Sequence, residues 1–408
     1  LKSAIFGTFD IGNFGDLMFP IIAERKLSEF GHVDMTRFSY RGKRADSWYY
    51  DVEAIQNFPE HVGDTSLVIV GGGHLVHFDR LMSQGYYPTD RRIPHPLGFW
   101  WVPALAARMA GIPAALNAVS VASQIPRWAE PLMGSFLDSL DYVAVRDSQS
   151  KMLLRRYAAG DVDINVVPDT VHSVPDLIER GVHSDKFTKF LAATGMGSDY
   201  IIVQPSDGFR RYGDTVEAMI SDALAQGLDV LELPIFNEVV DSAGSSRFSQ
   251  AVKHADEWPE PILLAEIIAN AQSVIGISLH LSIVASAYGI PVHRPSYSRE
   301  SKFVALDGLP NISFLDSSPN LSLRNPDRVD LSEVERRRSA LNEHWRRIHD
   351  LAQDCATARR PVGWDLILQT PSAFRRAGGI RDKVETMRLE TRRRGHFVAH
   401  AIRTRSFP

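Results

Sequence analysis

Cysteine is nearly absent: Cys355 is the only one among 408 residues. No intrachain disulfide can form, and the chain reads as a protein of a reducing compartment. No run approaches the roughly 18 apolar residues that a spanning helix needs. The opening Leu1–Phe6 enters a strand pattern directly and is too short for a signal peptide. Neither sign of charge prevails: 45 Lys and Arg face 49 Asp and Glu, a formal net of −4, which removes the general case for nucleic acid. Also missing are the dinucleotide fingerprint, a phosphate loop closed by Gly-Lys-Ser/Thr, and any cysteine-bearing metal cluster. The expectation is a cytoplasmic chain with no metal and no nucleotide cofactor.

What is present is ordinary in bulk and uneven in detail. Hydrophobic residues make up 44 % and charged residues 23 %, which is globular composition. The length exceeds one ordinary core and suits two domains. The charge is polarised, because Arg375–Pro408 holds ten Lys and Arg against three acidic residues. A basic tail on an acidic body suggests peripheral contact with an anionic membrane surface.

Short apolar runs alternate with amphipathic stretches, the pattern of an α/β architecture. Ser3–Phe9, Leu67–Val70, Ala114–Val119, Tyr142–Val145 and Ile164–Val167 read as buried parallel strands, with helices over Ile21–Phe30, Pro103–Ala110 and Ser148–Ala158. A second alternation places strands at Tyr200–Gln204, Val230–Pro234, Val274–Ile277 and Pro291–His293. Its helices fall at Asp214–Ala225, Ala265–Ala271 and Leu281–Tyr288. The expected organisation is a Rossmann-like domain over 1–175, a polar connection over 176–198, a second Rossmann-like domain over 199–325 and a helical extension over 326–408. Within that extension Leu331–Leu351 and Arg375–Phe397 read as helices.

Open parallel sheets bind ligands at the carboxyl ends of their strands, so polar residues there carry the functional argument. Gly12-Asn13-Phe14-Gly15-Asp16 follows the first strand. Either it is a glycine turn capped by Asp16, or Asn13 and Asp16 meet sugar hydroxyls. Pro20 suits only a first helical turn, which predicts a helix beginning behind this loop. Gly71-Gly72-Gly73 after a buried strand predicts close approach of another group to the backbone. His74, His77 and Asp79 behind it have no convincing ligand spacing. Arg146-Asp147-Ser148 ends a strand and opens a helix; Asp147 or Ser148 suits the cap, and Arg146 suits phosphate or carboxylate. Asp169 is a simple turn residue, a hinge or an acceptor contact. His280 stands near the start of an apolar helix, as a structural hydrogen-bonder or as a proton donor beside an anion. Phe99-Trp100-Trp101 is either core or a platform for a sugar ring.

In this order these segments resemble the polysaccharide pyruvyl transferases. The resemblance covers Ser3 to Leu309 and also takes in Val145–Ser150, Pro168-Asp169, Leu279-His280 before Gly289-Ile290-Pro291, and Tyr297–Lys302. It implies a GT-B-like pair of domains, phosphoenolpyruvate as donor substrate, and a sugar acceptor, free or lipid-linked, joined to pyruvate as a ketal. It assigns Arg146 and His280 to the donor side, with His280 as proton donor. Asp16 and Asn13 fall on the acceptor side, and Gly12, Gly15, Gly72, Gly73 and Asp147 line the site. The family has arginine two residues before this histidine, and here that position is Ser278. Arg210, Arg211, Arg294 and Lys302 follow strands of the second half and can substitute for that cation. Two other readings stay open: a GT-B glycosyltransferase using a nucleotide sugar, and a degenerate member that binds glycan without turnover.

Overall fold

The computed structural model describes residues 1–354 except 32–33, 45–47, 79–96, 122–124, 159–161, 207–208, 210, 237–247, 249–251, 296–300, 317–322 and 324–329. The first half runs through β1 (Lys2–Phe6), α1 (Phe14–Ser28), β2 (Asp34–Ser39), β3 (Glu53–Ala54), α2 (Phe58–His61), β4 (Leu67–Val70) and β5 (Gly73–Val76). It continues with α3 (Leu97–Ala110), β6 (Ala114–Val121), α4 (Glu130–Asp138), β7 (Tyr142–Val145), α5 (Ser148–Arg155) and β8 (Ile164–Val166). A 3-10 turn over Thr170–Asp176 leads to α6 (Asp185–Thr194), β9 (Tyr200–Val203), α7 (Gly213–Ala225), β10 (Asp229–Glu232) and β11 (Lys253–His254). The second half ends with α8 (Pro261–Ala269), β12 (Ser273–Ile275), α9 (Leu279–Ala287), β13 (Val292–Arg294) and β14 (Ile312–Phe314), followed by α10 (Ser332–Asp354).

The strands form two sheets. One has the order β3-β2-β1-β4-β6-β7-β8 with β5 on β6, and the other β11-β10-β9-β12-β13-β14. Every pairing within them is parallel. Parallel neighbours need crossovers, and helices on the faces bury both sides, so central strands such as β4 and β7 are apolar throughout. In each sheet the order turns back at the first strand, between β1 and β4 and between β9 and β12. Those are the switch points where loops diverge and open a binding crevice.

The second sheet follows the expected alternation closely; other expectations change. β1 stops at Phe6 rather than Phe9, and α1 begins at Phe14 with Pro20 inside it. The proline removes one ladder hydrogen bond. Burial of Phe14, Leu17, Met18, Phe19 and Ile22 outweighs that loss, at about 1.5–3 kcal/mol for each large apolar side chain. Asn13 supplies the cap, its side chain accepting from Gly15 N–H at 3.2 Å, so Asp16 is not the capping residue. The polar connection is itself structured: Ser184 caps α6 and Gly195 ends it at φ +64°.

The two halves share one apolar core that runs from Phe9 and Phe19 through Leu264 and Val284 to Trp345. α10 closes it from outside. Arg337 on α10 donates to Ala305 O at 2.6 Å and Asp307 O at 2.5 Å, and lies 3.3 Å from His172. His344 joins Tyr142 Oη at 3.0 Å and Asn117 Oδ1 at 2.8 Å. One helix thereby grips both halves. The expected helix over Arg375–Phe397 and the basic tail lie outside the described residues.

Candidate active site

Loops from the two switch points meet at a single place. α1 starts behind β1, the glycine turn 71–73 follows β4, and α9 starts behind β12. The backbones are joined there, Phe14 N–H donating to Ile235 O at 3.2 Å. At the seam the His280 ring lies on Gly15, where an added Cβ would stand 1.8 Å from Nδ1. Phe19 meets the same ring edge-on, with centroids 5.4 Å apart. Gly72, at φ +116°, passes so close to Phe19 that a side chain would overlap the ring, and Gly73, at φ +73°, faces Asp16. Close approach is why glycine stands at these positions.

Behind His280 lies a buried carboxylate. Asp169 caps the 3-10 turn, accepting from Val171 N–H at 3.1 Å through Oδ1. Its Oδ2 accepts from Arg146 Nη1 at 2.9 Å and lies 3.6 Å from His280 Nε2. Burial by itself would raise this carboxyl; His280, Arg146 and the Val171 amide together overturn that and hold it well below the carboxylate range. Asp16 is the opposite case. It keeps part of its surface open, yet burial raises its carboxyl, opposed by His280, by a hydrogen bond from Thr8 and by Arg146. Two carboxylates flanking one imidazole thus have pKa values pushed apart, the pattern of an acid/base site.

The start of α9 is also specific. Ile277 and Ser278 N–H both donate to Gln204 Oε1, at 2.9 and 2.8 Å, tying the two switch-point loops of the second sheet together. The next N–H groups open the helix, have no intrahelical acceptor, and suit an anion.

A family model for polysaccharide pyruvyl transferase matches residues 13–299. The chain belongs to this family. Solved structures similar to this chain include UDP-GlcNAc 2-epimerase from Methanocaldococcus jannaschii, at 12 % identity over 77 % of this chain and 88 % of that one, TM-score 0.49. Another is UDP-GlcNAc 2-epimerase from Neisseria meningitidis bound to UDP-GlcNAc, at 11 % identity over 86 % and 94 %, TM-score 0.45. A search of curated proteins found no match.

Of the expected site residues, the seam gathers Asn13, Gly15, Asp16, Gly72, Gly73, Ser278 and His280, with Gly12 buried in the loop just before it. Arg146 reaches the site through Asp169, because its side chain is 1 % exposed and directed at that carboxylate. In the structure its guanidinium is spent on that carboxylate rather than presented to the seam. Asp147 is given to the helix: it caps α5, with its carboxylate on Ser150 N–H and Oγ. Arg211 is exposed. Arg294 is buried at the end of β13, with its guanidinium over the Phe303 ring at 3.9 Å. Arg210 and the Lys302 side chain lie outside the described residues. His74 bonds Ser120 Oγ at 2.9 Å, Asp79 lies outside the description, and among the described residues no metal-holding cluster occurs. Sequence reasoning undervalued Asp169 and missed Gln204, Thr8 and Phe19. For Asp169 the signal was a carboxylate directly ahead of a turn, at the end of a strand next to Arg146.

Proposed function

We propose that this pyruvyl transferase takes pyruvate from phosphoenolpyruvate and sets it as a ketal across two hydroxyls of a sugar in a polysaccharide or glycan precursor. The observation that carries the reading is His280, backed by Asp169 and lodged against Gly15 beside Asp16. The His280 imidazolium gives its proton to the methylene carbon of phosphoenolpyruvate, which becomes the methyl group. Asp169 stays anionic and stabilises the charged ring. The enol carbon, now an oxocarbenium centre, is attacked by one sugar hydroxyl, whose proton passes to Asp16. The C–O bond to phosphate breaks, and the second hydroxyl closes the ketal. One hydroxyl proton replaces the one lost to the methyl group and the other leaves on the phosphate, so the site returns to its starting state.

The leaving phosphate is served by the N-terminus of α9 and by a cation drawn from Arg210, Arg211, Arg294 and Lys302, in place of the arginine that Ser278 displaces. No metal and no nucleotide enters the scheme. The experiment is phosphate release from phosphoenolpyruvate with a panel of sugar acceptors, with mass analysis of the product. The reading requires one phosphate per pyruvylated sugar; release of a nucleoside diphosphate from a nucleotide sugar instead would replace it with glycosyl transfer.

A further inference from the structure

Three aromatic side chains outside the catalytic cluster form a row across the seam. Trp48 and Tyr49 belong to the loop between β2 and β3, and Trp258 to the segment between β11 and α8 in the other half. Ring centroids lie 4.9 Å apart from Trp48 to Tyr49 and 5.9 Å from Tyr49 to Trp258. All three are half-buried. Both indole N–H groups are spent on backbone: Trp48 Nε1 donates to Phe9 O and Trp258 Nε1 to Pro234 O, each at 2.8 Å. Those carbonyls sit in the loops after β1 and β10, on the ligand-binding edges of the two sheets. The row also leads to the chemistry. Tyr50, next in the chain, donates to Leu17 O at 3.1 Å and is close enough to Asp16 to feel its charge.

We propose that Trp48, Tyr49 and Trp258 are the acceptor subsite and receive the pyranose rings of an oligosaccharide. The inference rests on the sugar-acceptor reading above and names where that sugar is held. With both N–H groups committed, only the partly exposed ring surfaces remain for a ligand, that of Trp48 shared with Lys43, whose Nζ lies 5.0 Å over the ring. The face of an aromatic ring is negative, while one face of a pyranose presents C–H groups with a small positive charge, so the two stack. The ring planes are inclined by 50° from Trp48 to Tyr49 and by 60° from Tyr49 to Trp258, so the rings meet successive sugar residues rather than one, which favours a chain over a monosaccharide. It draws on both halves, so a bound chain would also hold them together. The Phe99-Trp100-Trp101 run cannot serve, since its rings are 0 %, 0 % and 5 % exposed in the core.

The test uses the full chain and fragments of glucan, galactan and mannan as probes. Tyr49→Leu and Trp258→Leu remove the ring face, whereas Tyr49→Phe and Trp258→Phe keep it. We expect the leucine variants to weaken oligosaccharide affinity tenfold or more, and the phenylalanine variants to stay within threefold of wild type. Affinity for phosphoenolpyruvate should change less than twofold in all four. In wild type, bound oligosaccharide should protect tryptophan fluorescence from acrylamide, a readout that needs no variant to fold. Leucine variants that bind like wild type, a wild type that binds none of the probes, or binding without protection would each overturn the subsite. Loss of glycan binding in the leucine variants of a protein that never turns over phosphoenolpyruvate would sink the donor reading and leave the subsite standing.

Discussion

At Gly15 the first half meets the His280 ring of the second. Gly15→Ala puts a methyl group into the His280 ring, and a misplaced catalytic group costs about 10²-fold in rate. Phosphate release should fall by about that factor while circular dichroism still reports a folded chain; an active Gly15→Ala would mean that His280 acts from elsewhere. The Arg146–Asp169 pair is buried on both sides, at 1 % and 0 % side-chain exposure. Removing one partner strands a charge, at about 3–5 kcal/mol, so Arg146→Ala and Asp169→Asn should both lower the urea midpoint. The double variant Arg146→Met with Asp169→Leu should regain stability but not phosphate release, and recovery of both would make the pair merely structural. In the sequence Arg146 stood out as a strand-end cation that capping does not explain, and His280 as a histidine near the start of an apolar helix, either a structural hydrogen-bonder or a proton donor. Asp169 passed for a turn, and Gln204 carried no local signal, because its partners Ile277 and Ser278 lie more than seventy residues away.

Helices and strands were legible where burial alone decides them. β4 and β7 have the expected ends because all four residues of each are buried. β2, β3, β5, β11 and β14 were missed, being edge, near-edge or off-path strands of two to six residues with mixed burial. Pro20 misplaced the start of α1, since the rule against interior proline yields to a capped and deeply packed turn. α10 shows why single elements matter here. Burial pushes His172 and His344 down to about 3, aided by the positive charges of Arg337 and Arg347. Both stay neutral in the folded protein, whereas an unfolded imidazole takes a proton near about pH 6.5. The unfolded chain therefore binds more protons below that pH, and stability falls as pH drops from about 6.5 toward about 3. The urea midpoint should be lower at pH 5.5 than at pH 7.5, and His344→Gln should narrow the difference; an unchanged difference would show that His344 is already charged when folded.

Across the whole molecule, two sheets with the same turn-back order present their binding edges to one another. Neither half holds the site alone: Asp16 and Asp169 come with the first, His280 and Gln204 with the second. The sequence showed two α/β halves in series, but not that His280 would rest on Gly15, since contact between distant segments leaves no periodic trace. Because the scheme uses only side chains and helix termini of these halves, turnover should persist in EDTA. Loss of activity with recovery on adding one divalent ion would require a metal in the scheme. Protonation of the donor carbon by His280 is read out by running the reaction in D2O with phosphoenolpyruvate and an accepted sugar. One deuterium in each ketal methyl group and one phosphate per ketal are expected. His280→Ala should lose about 10²–10⁴-fold, the share of a general acid, with phosphoenolpyruvate still bound. Ketal formation by His280→Ala at the wild-type rate would contradict it.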